Sequence, residues 1–388
     1  MQLTSEDEIV LSTCNHSANF DCWLAMAERV ACKVVLWDIM KGTPSMEGGW
    51  KYVEGAVGTG ERMPPVTNRT KLLIVPHTSN VLGVMLDLDS VGRHVKRVSP
   101  SVQIIVDGVA AVPHRYAGGN GGAHADHYVV SCHKLFGPHL GVCVSRRGTA
   151  AGATDEEGEG KALVERGTMN FEACNGVVGL LEYFLKLASI SVKVDVESTV
   201  DKLLGNGKVS ERDGNSGKVS ERDGNRRGKN TGVTALHFAN LLTSLCRQLS
   251  DSKWLMMEAY ENIELAESSP MSLLLDKIRF EWKRVKLISV FDDDIAFCAQ
   301  RRVPVISFVH ESLSSDDIVK KCEQNNIVVR AGFFLSTECI NRWAESRGVD
   351  VQDLRGKGGA VRVSLAHYNT MEEVLRCIDV MESMEGWG

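Results

Sequence analysis

Ser131-Cys132-His133-Lys134-Leu135-Phe136-Gly137-Pro138-His139 follows directly on the apolar run Tyr128 to Val130, and Gly141 to Ser145 reads as a second short strand beyond it. A strand, a polar turn broken by Gly-Pro and another strand place Lys134 on a tight connection at the edge of a sheet. Upstream, Gln103-Ile104-Ile105-Val106-Asp107 is a further strand-like run that ends in a carboxylate and is followed at once by Gly108. Taken singly, Lys134 reads as a solvated loop lysine and Asp107 as a strand-terminal acid. The order strand, Asp-Gly, strand, Ser-x-His-Lys, Gly-Pro is what makes the pair specific.

A lysine at a sheet edge with an aspartate at the end of a nearby strand is the pairing that pyridoxal phosphate needs. The amine forms an imine with the cofactor aldehyde, and the carboxylate keeps the pyridine nitrogen protonated so that the ring accepts electrons. Lys134 is therefore expected to be the Schiff-base lysine and Asp107 a cofactor ligand.

Working outward, strands and helices alternate through the first half, which marks it as α/β. Trp23 to Ala31 predicts a helix entering the strand Val34 to Trp37. Leu72 to Pro76 is a buried strand, and Asp89 to Val95 a helix before Gln103 to Asp107. Between Phe171 and Ile190 the residues Val177, Val178, Leu181, Phe184, Leu185 and Ala188 recur at helical spacing. Composition then changes. The unit Gly207 to Asn215 is repeated almost at once as Gly217 to Asn225, and a charged, glycine-rich duplication cannot bury enough apolar surface to fix itself. Helical patterning resumes over Ala235 to Arg247 and Trp254 to Leu265. The C-terminal part reads as α+β, with strands Val303 to Val309, Ile327 to Arg330 and Ala360 to Leu365. A helix over Ser315 to Gln324 and a capping box at Thr370-Met371-Glu372-Glu373 complete it. The expected organisation is a large domain over 1–200, an insertion over 205–231, a helical connection over 232–285 and a small domain over 286–388.

The 388 residues suffice for a large core. A net charge of −6 provides no general attraction to nucleic acid or anionic membrane. No stretch has the apolar length of a membrane span. The 11 cysteines lack paired C-x-x-C spacing, which suits reduced core thiols better than disulfides or a metal site. These features lead to the expectation of a cytoplasmic protein without metal. An organellar address stays open if the N-terminus is incomplete.

Further stretches extend the pattern: Asn15-His16-Ser17-Ala18-Asn19 with Trp23, Thr78-Ser79-Asn80-Val81-Leu82-Gly83, Gly167-Thr168-x-Asn170, Arg330-Ala331-Gly332, and Val361-Arg362-Val363-Ser364 followed by His367-Tyr368-Asn369-Thr370. In this order they resemble the class V aminotransferase family of fold-type I pyridoxal phosphate enzymes, and its cysteine desulfurase-like branch in particular. The resemblance implies a mostly parallel large-domain sheet with a smaller C-terminal α+β domain, an amino-acid substrate and a homodimer. It implies that His16 stacks on the pyridine ring and relays protons, or else is a helix-start histidine bonded locally. Asn80 would donate to the cofactor's phenolic oxygen, or be a turn asparagine. Ser131 and His133 would bind the phosphate, joined by Thr168 across a dimer interface, unless Thr168 caps the helix near Phe171. Arg362 would grip the substrate carboxylate with Arg330 beside it, although strand alternation alone leaves open which face Arg362 takes.

The sequence departs from the branch in four places. The glycine-rich phosphate loop expected upstream of His16 has no counterpart in Met1 to Thr13, so either the N-terminus is truncated or cofactor binding is impaired. Asp107-Gly108-Val109-Ala110 replaces Asp-Gly-x-Gln. Phe333-Phe334-Leu335-Ser336 stands where a nucleophilic cysteine belongs; Cys339 lies four residues later and reads as a buried, inert thiol. The duplicated insertion has no family counterpart. The resulting expectation is a cysteine desulfurase-like or C-S lyase-like enzyme. The alternatives are an aminotransferase or a catalytically degenerate scaffold.

Overall fold

The computed structural model describes residues 3–40, 63–117, 124–146, 170–193, 196, 199, 253–289 and 301–387. The chain forms two compact units, one built from Met1–Val164 with Ile263–Gly388 and the other from Glu165–Asn262. Both sheets belong to the first unit. Positions 205–231 and 235–247, where the sequence predicted an insertion and a helix, lie outside the described residues, and so does Thr168.

Six strands form the larger sheet: β1 (Glu8–Ser12), β2 (Lys33–Trp37), β3 (Thr70–Pro76), β4 (Gln103–Asp107), β5 (His127–Ser131) and β6 (Gly141–Ser145). Their order is β2-β1-β3-β4-β5-β6. The first five run parallel and β6 returns antiparallel to β5. The strand β1, which lies between β2 and β3, was not anticipated, because its apolar centre is only Ile9-Val10-Leu11 between polar neighbours. All three are completely buried. Glu8 is buried with them, and its carboxylate is answered by Thr67 Oγ1 at 2.6 Å, Arg69 at 2.8 Å and Lys33 at 3.1 Å. The Thr67 hydroxyl leads in holding this carboxyl below its usual range, which is how a charge persists at the end of a core strand.

Helix α1 (Ser17–Val30) packs its apolar side, including Ala27, Phe20 and Trp23, against Ile9, Leu11 and Ile74. On the opposite face α2 (Leu88–Val98), capped by Asp87, contributes Leu88, Val91 and Val95 to the cluster of Val10, Leu73, Val75 and Val106. A parallel sheet covered on both faces leaves the carboxyl ends of its strands as the accessible place for a ligand.

The second sheet is antiparallel, in the order β7-β8-β10-β9, and comprises β7 (Val285–Leu287), β8 (Val305–His310), β9 (Arg330–Gly332) and β10 (Ala360–Ser364). Helices α5 (Ser315–Gln324) and α8 (Met371–Glu382) cover one face through Ile318, Cys322, Val374 and Ile378. Both ends of the Thr370 capping box are made. Helices α6 (Thr337–Ser346) and α7 (Val351–Gly356) were not anticipated. The strand predicted over Ile327 to Arg330 is displaced to Arg330–Gly332.

In the second unit, α3 (Phe171–Ala188) is capped by Asn170, whose side chain accepts from the Ala173 amide; the cap role considered for Thr168 therefore falls to Asn170. Phe184 packs on Tyr260, with ring centroids 5.1 Å apart. Tyr260 belongs to α4 (Lys253–Asp276), a helix that contains Pro270. Among the described residues no helix is long and apolar enough to cross a membrane, and nine cysteines are free thiols, seven of them buried.

Candidate active site

Four neighbouring parallel strands deliver the candidate residues at their carboxyl ends. β1 leads to Cys14 and His16, β3 to Thr78 and Asn80, β4 ends on Asp107, and β5 runs into the turn that carries Lys134. All of these line one cleft of about 330 Å³ within the first unit, together with Ala18, Asn19, Val109, Ala110 and Val129. That volume falls at the lower end of the range of small-molecule and cofactor pockets.

Lys134 is set by a tight turn in which the Lys134 and Leu135 amides donate to the Ser131 carbonyl and the Gly137 amide to Cys132. Among the described residues its ammonium has no hydrogen-bond or ion-pair partner, and although the residue is open to solvent, the cleft wall crowds the amine. Partial burial leads in holding it below the usual lysine range; Asp107 opposes this and Arg362 adds to it. The sign is testable. Removing the Asp107 charge with Asp107→Asn is expected to lower the pH midpoint of Lys134 labelling by an amine-reactive reagent, and Arg362→Gln to raise it. An unshifted midpoint in both variants would contradict the placement of these charges.

Asp107 is oriented by local structure. Its Oδ1 accepts from the Val109 amide at 3.0 Å, and its carbonyl accepts from the His77 amide at 2.8 Å. Beneath it, buried His77 Nδ1 meets the Tyr128 hydroxyl at 2.7 Å, and burial pushes the imidazole down to about 4. Tyr128 explains Gly108: a Cβ there would lie 2.0 Å from the tyrosine ring. Neither His77 nor Tyr128 was singled out from sequence, where each reads as an ordinary strand residue.

His16 shows the local bonding expected of a helix-start histidine. It caps α1, its Nδ1 accepting the Ala18 amide at 3.2 Å, and it also lines the cleft. Burial first, then the Lys134 ammonium, hold it below the usual histidine value.

Asn80 lines the cleft and is tied to the segment Phe334 to Ser336. Its Nδ2 donates to the Phe334 carbonyl at 2.9 Å, while its Oδ1 accepts from Ser336 Oγ at 2.8 Å. Arg362 leaves β10 on the face opposite Val361 and Val363, which are buried in the core of the antiparallel sheet. Arg362 thus points away from that core, and neither it nor Arg330 is among the residues that line the cleft. Arg362 Nη1 donates to the Asn80 carbonyl at 3.1 Å, and its Nε is buried without a partner among the described residues. Arg330 stands directly opposite in register, and burial followed by Arg330 holds the Arg362 guanidinium below its usual value. Like charges facing across a sheet are unfavourable. An orphaned donor beside such a pair is suited to an anion.

Ser131 and His133 do not line the cleft. His133 is exposed and stacks on His139, with centroids 3.9 Å apart. Cys339 is fully buried on α6, with its sulfur 3.7 Å from that of Cys14 and 4.0 Å from Ser79 Oγ. The Cys339 thiol and burial raise the Cys14 thiol well above its usual value. Leu335, in the segment where the resemblance implied a nucleophilic cysteine, is exposed.

The residues fit the ring end of pyridoxal phosphate, since an amine, a carboxylate and an imidazole converge on one cleft. The model of the class-V aminotransferases matches residues 1–166 and 255–377, and the chain belongs to this family, whose members are pyridoxal phosphate-dependent. More particularly, it is similar to a "Probable cysteine desulfurase" of Mycoplasma genitalium, 25% identical over 371 residues that span 96% of this chain and 69% of that protein. Its fold is that of the fold-type I cysteine desulfurases. The desulfurase CsdA of Escherichia coli superposes with a TM-score of 0.57 at 18% identity, covering 98% of this chain and 72% of that one. The cystine C-S lyase C-DES, in complex with its product cysteine persulfide, superposes with a TM-score of 0.52 at 15% identity, covering 98% and 76%.

Proposed function

We propose that the chain is a pyridoxal phosphate-dependent enzyme acting on an amino acid, with Lys134 as the cofactor-bearing lysine and an outcome closer to C-S bond elimination than to persulfide transfer. The observation that carries this reading is the convergence of Lys134, Asp107 and His16 on one cleft at the carboxyl ends of adjacent strands. When bound, the cofactor supplies an electron sink for a carbanion at the substrate α-carbon. Asp107, oriented by the Val109 amide, would hold the ring nitrogen, and the imidazole of His16 would lie against the ring. Lys134, with its amine partly desolvated, is suited to take the α-proton and return it elsewhere. Arg362 and Arg330 would receive the substrate carboxylate.

The elimination outcome is supported by the absence of a thiol at Leu335 and by the burial of Cys339. Elimination from a thiol-bearing amino acid needs the lysine and the cofactor, whereas persulfide formation needs a reachable thiolate. Cys339→Ser is therefore expected to leave sulfide release from cysteine unchanged in rate. Loss of release in that variant would restore Cys339 as a nucleophile. The family likeness also supports a homodimer, with Ser131, His133 and the partner's copy of position 168 as phosphate contacts.

The test of the whole reading is spectroscopic. Addition of pyridoxal phosphate is expected to produce a near-visible absorbance band that Lys134→Ala abolishes. Identical spectra for the two proteins would favour a scaffold that retains only the fold.

A further inference from the structure

The segment Phe333 to Ser336 holds two consecutive non-glycine residues in the left-handed region, Phe334 at φ 51° and Leu335 at φ 53°. Such a pair is strained and persists only where its surroundings over-determine it. Three hydrogen bonds do so. Asn80 Nδ2 donates to the Phe334 carbonyl, Ser336 Oγ donates to Asn80 Oδ1, and the Ser17 amide donates to the Leu335 carbonyl at 2.6 Å. One consequence of this turn is the placement of the Phe334 ring, whose centroid lies 4.3 Å from the Arg362 guanidinium carbon. That distance is well inside the range of a cation–π contact.

The guanidinium is thus fixed on two sides. Phe334 packs against it, and the Asn80 carbonyl takes Nη1. What remains is the Nε edge, buried and without a partner among the described residues. We infer that Asn80 and Phe334 form a clamp that orients Arg362 so that its Nε edge receives the substrate carboxylate side-on. The inference rests on the reading of Arg362 as the carboxylate-binding group and deepens it. Asn80 and Phe334 become positioning residues, and the left-handed turn is the device that carries the ring to the guanidinium. In this arrangement Asn80 serves the substrate site through its carbonyl oxygen and amide, which accounts for both ends of its side chain being committed to the loop.

The test uses propionate, a carboxylate without an amine, titrated into the full chain and followed by ligand-observed NMR. Phe334→Leu is expected to weaken propionate binding about three- to tenfold, the worth of a partly buried cation–π contact, and Phe334→Tyr to restore it. Ser336→Ala, which frees Asn80 Oδ1 and leaves the Phe334 ring itself unchanged, is expected to weaken binding in the same direction, so that the clamp is tested twice. A protein in which Arg362→Gln loses propionate while Phe334→Leu and Ser336→Ala bind it as tightly as the parent would overturn the clamp and leave the carboxylate reading standing. Parent-like binding by Arg362→Gln would overturn both.

Discussion

Arg362→Gln is expected to lower kcat/KM for an amino-acid substrate by on the order of a hundredfold, carried mainly by KM. The magnitude is that of removing one partner of a charge-assisted, partly buried pair, which costs about 2–5 kcal/mol. Glutamine retains hydrogen-bonding capacity but loses the charge and the planar fork that fits a carboxylate. Because the carboxylate is not the reacting centre, its loss is expected to act on binding more than on the chemical step. Steady-state kinetics on parent and variant measure the split. A fall in kcat at unchanged KM would show that Arg362 acts on the reaction rather than on the carboxylate.

The second large effect is structural. Gly83 has φ +69°, and a Cβ there would lie 2.1 Å from the Val305 carbonyl oxygen, 3.0 Å from Arg302 Nη2 and 3.2 Å from the Val303 carbonyl oxygen. The Cβ would meet the backbone of the other sheet rather than a flexible tip. Arg302 is wholly buried and donates through Nη2 to the carbonyls of Leu82 and Val305 at 2.7 and 3.1 Å, and Val84 bridges to Arg302 beside it. Gly83 therefore closes the joint through which the segment carrying Asn80 is held to β8. Gly83→Ala combines left-handed strain with a backbone clash, and a loss of about 3 kcal/mol or more is expected. Equilibrium denaturation measures it. A variant as stable as the parent would mean that the joint relaxes without cost.

Most of the scaffold could be read from local patterns. Gln103–Asp107, Gly141–Ser145 and Ser315–Gln324 match their expected limits, because period and flanking breakers are unambiguous there. Reading failed where the decisive interaction is distant. β1 is three apolar residues long at its centre and owes its place to neighbours on both sides. α6 and α7 are short amphipathic helices that draw their stability from packing Ile340, Trp343 and Leu354 on Val81 and Leu82.

The site divides along the same line. Lys134, Asp107 and His16 are announced by motifs and meet in one cleft. The surroundings that tune them are not announced. Tyr128 against Gly108, His77 below Asp107, and Phe334 over Arg362 each depend on contacts between segments far apart in sequence. Asn80 shows the limit most clearly. Its motif marks it as important, but only the fold reveals that its side chain holds the turn at Phe334 and Ser336.

The central claim is that Lys134 is the residue to which the cofactor attaches. Borohydride reduction of the protein saturated with pyridoxal phosphate, followed by proteolysis and mass spectrometry, tests it most directly. The account predicts a single dominant phosphopyridoxyl adduct on the peptide containing Lys134, absent in Lys134→Ala. An unmodified Lys134, or label spread over surface lysines with no preference for that peptide, would contradict it.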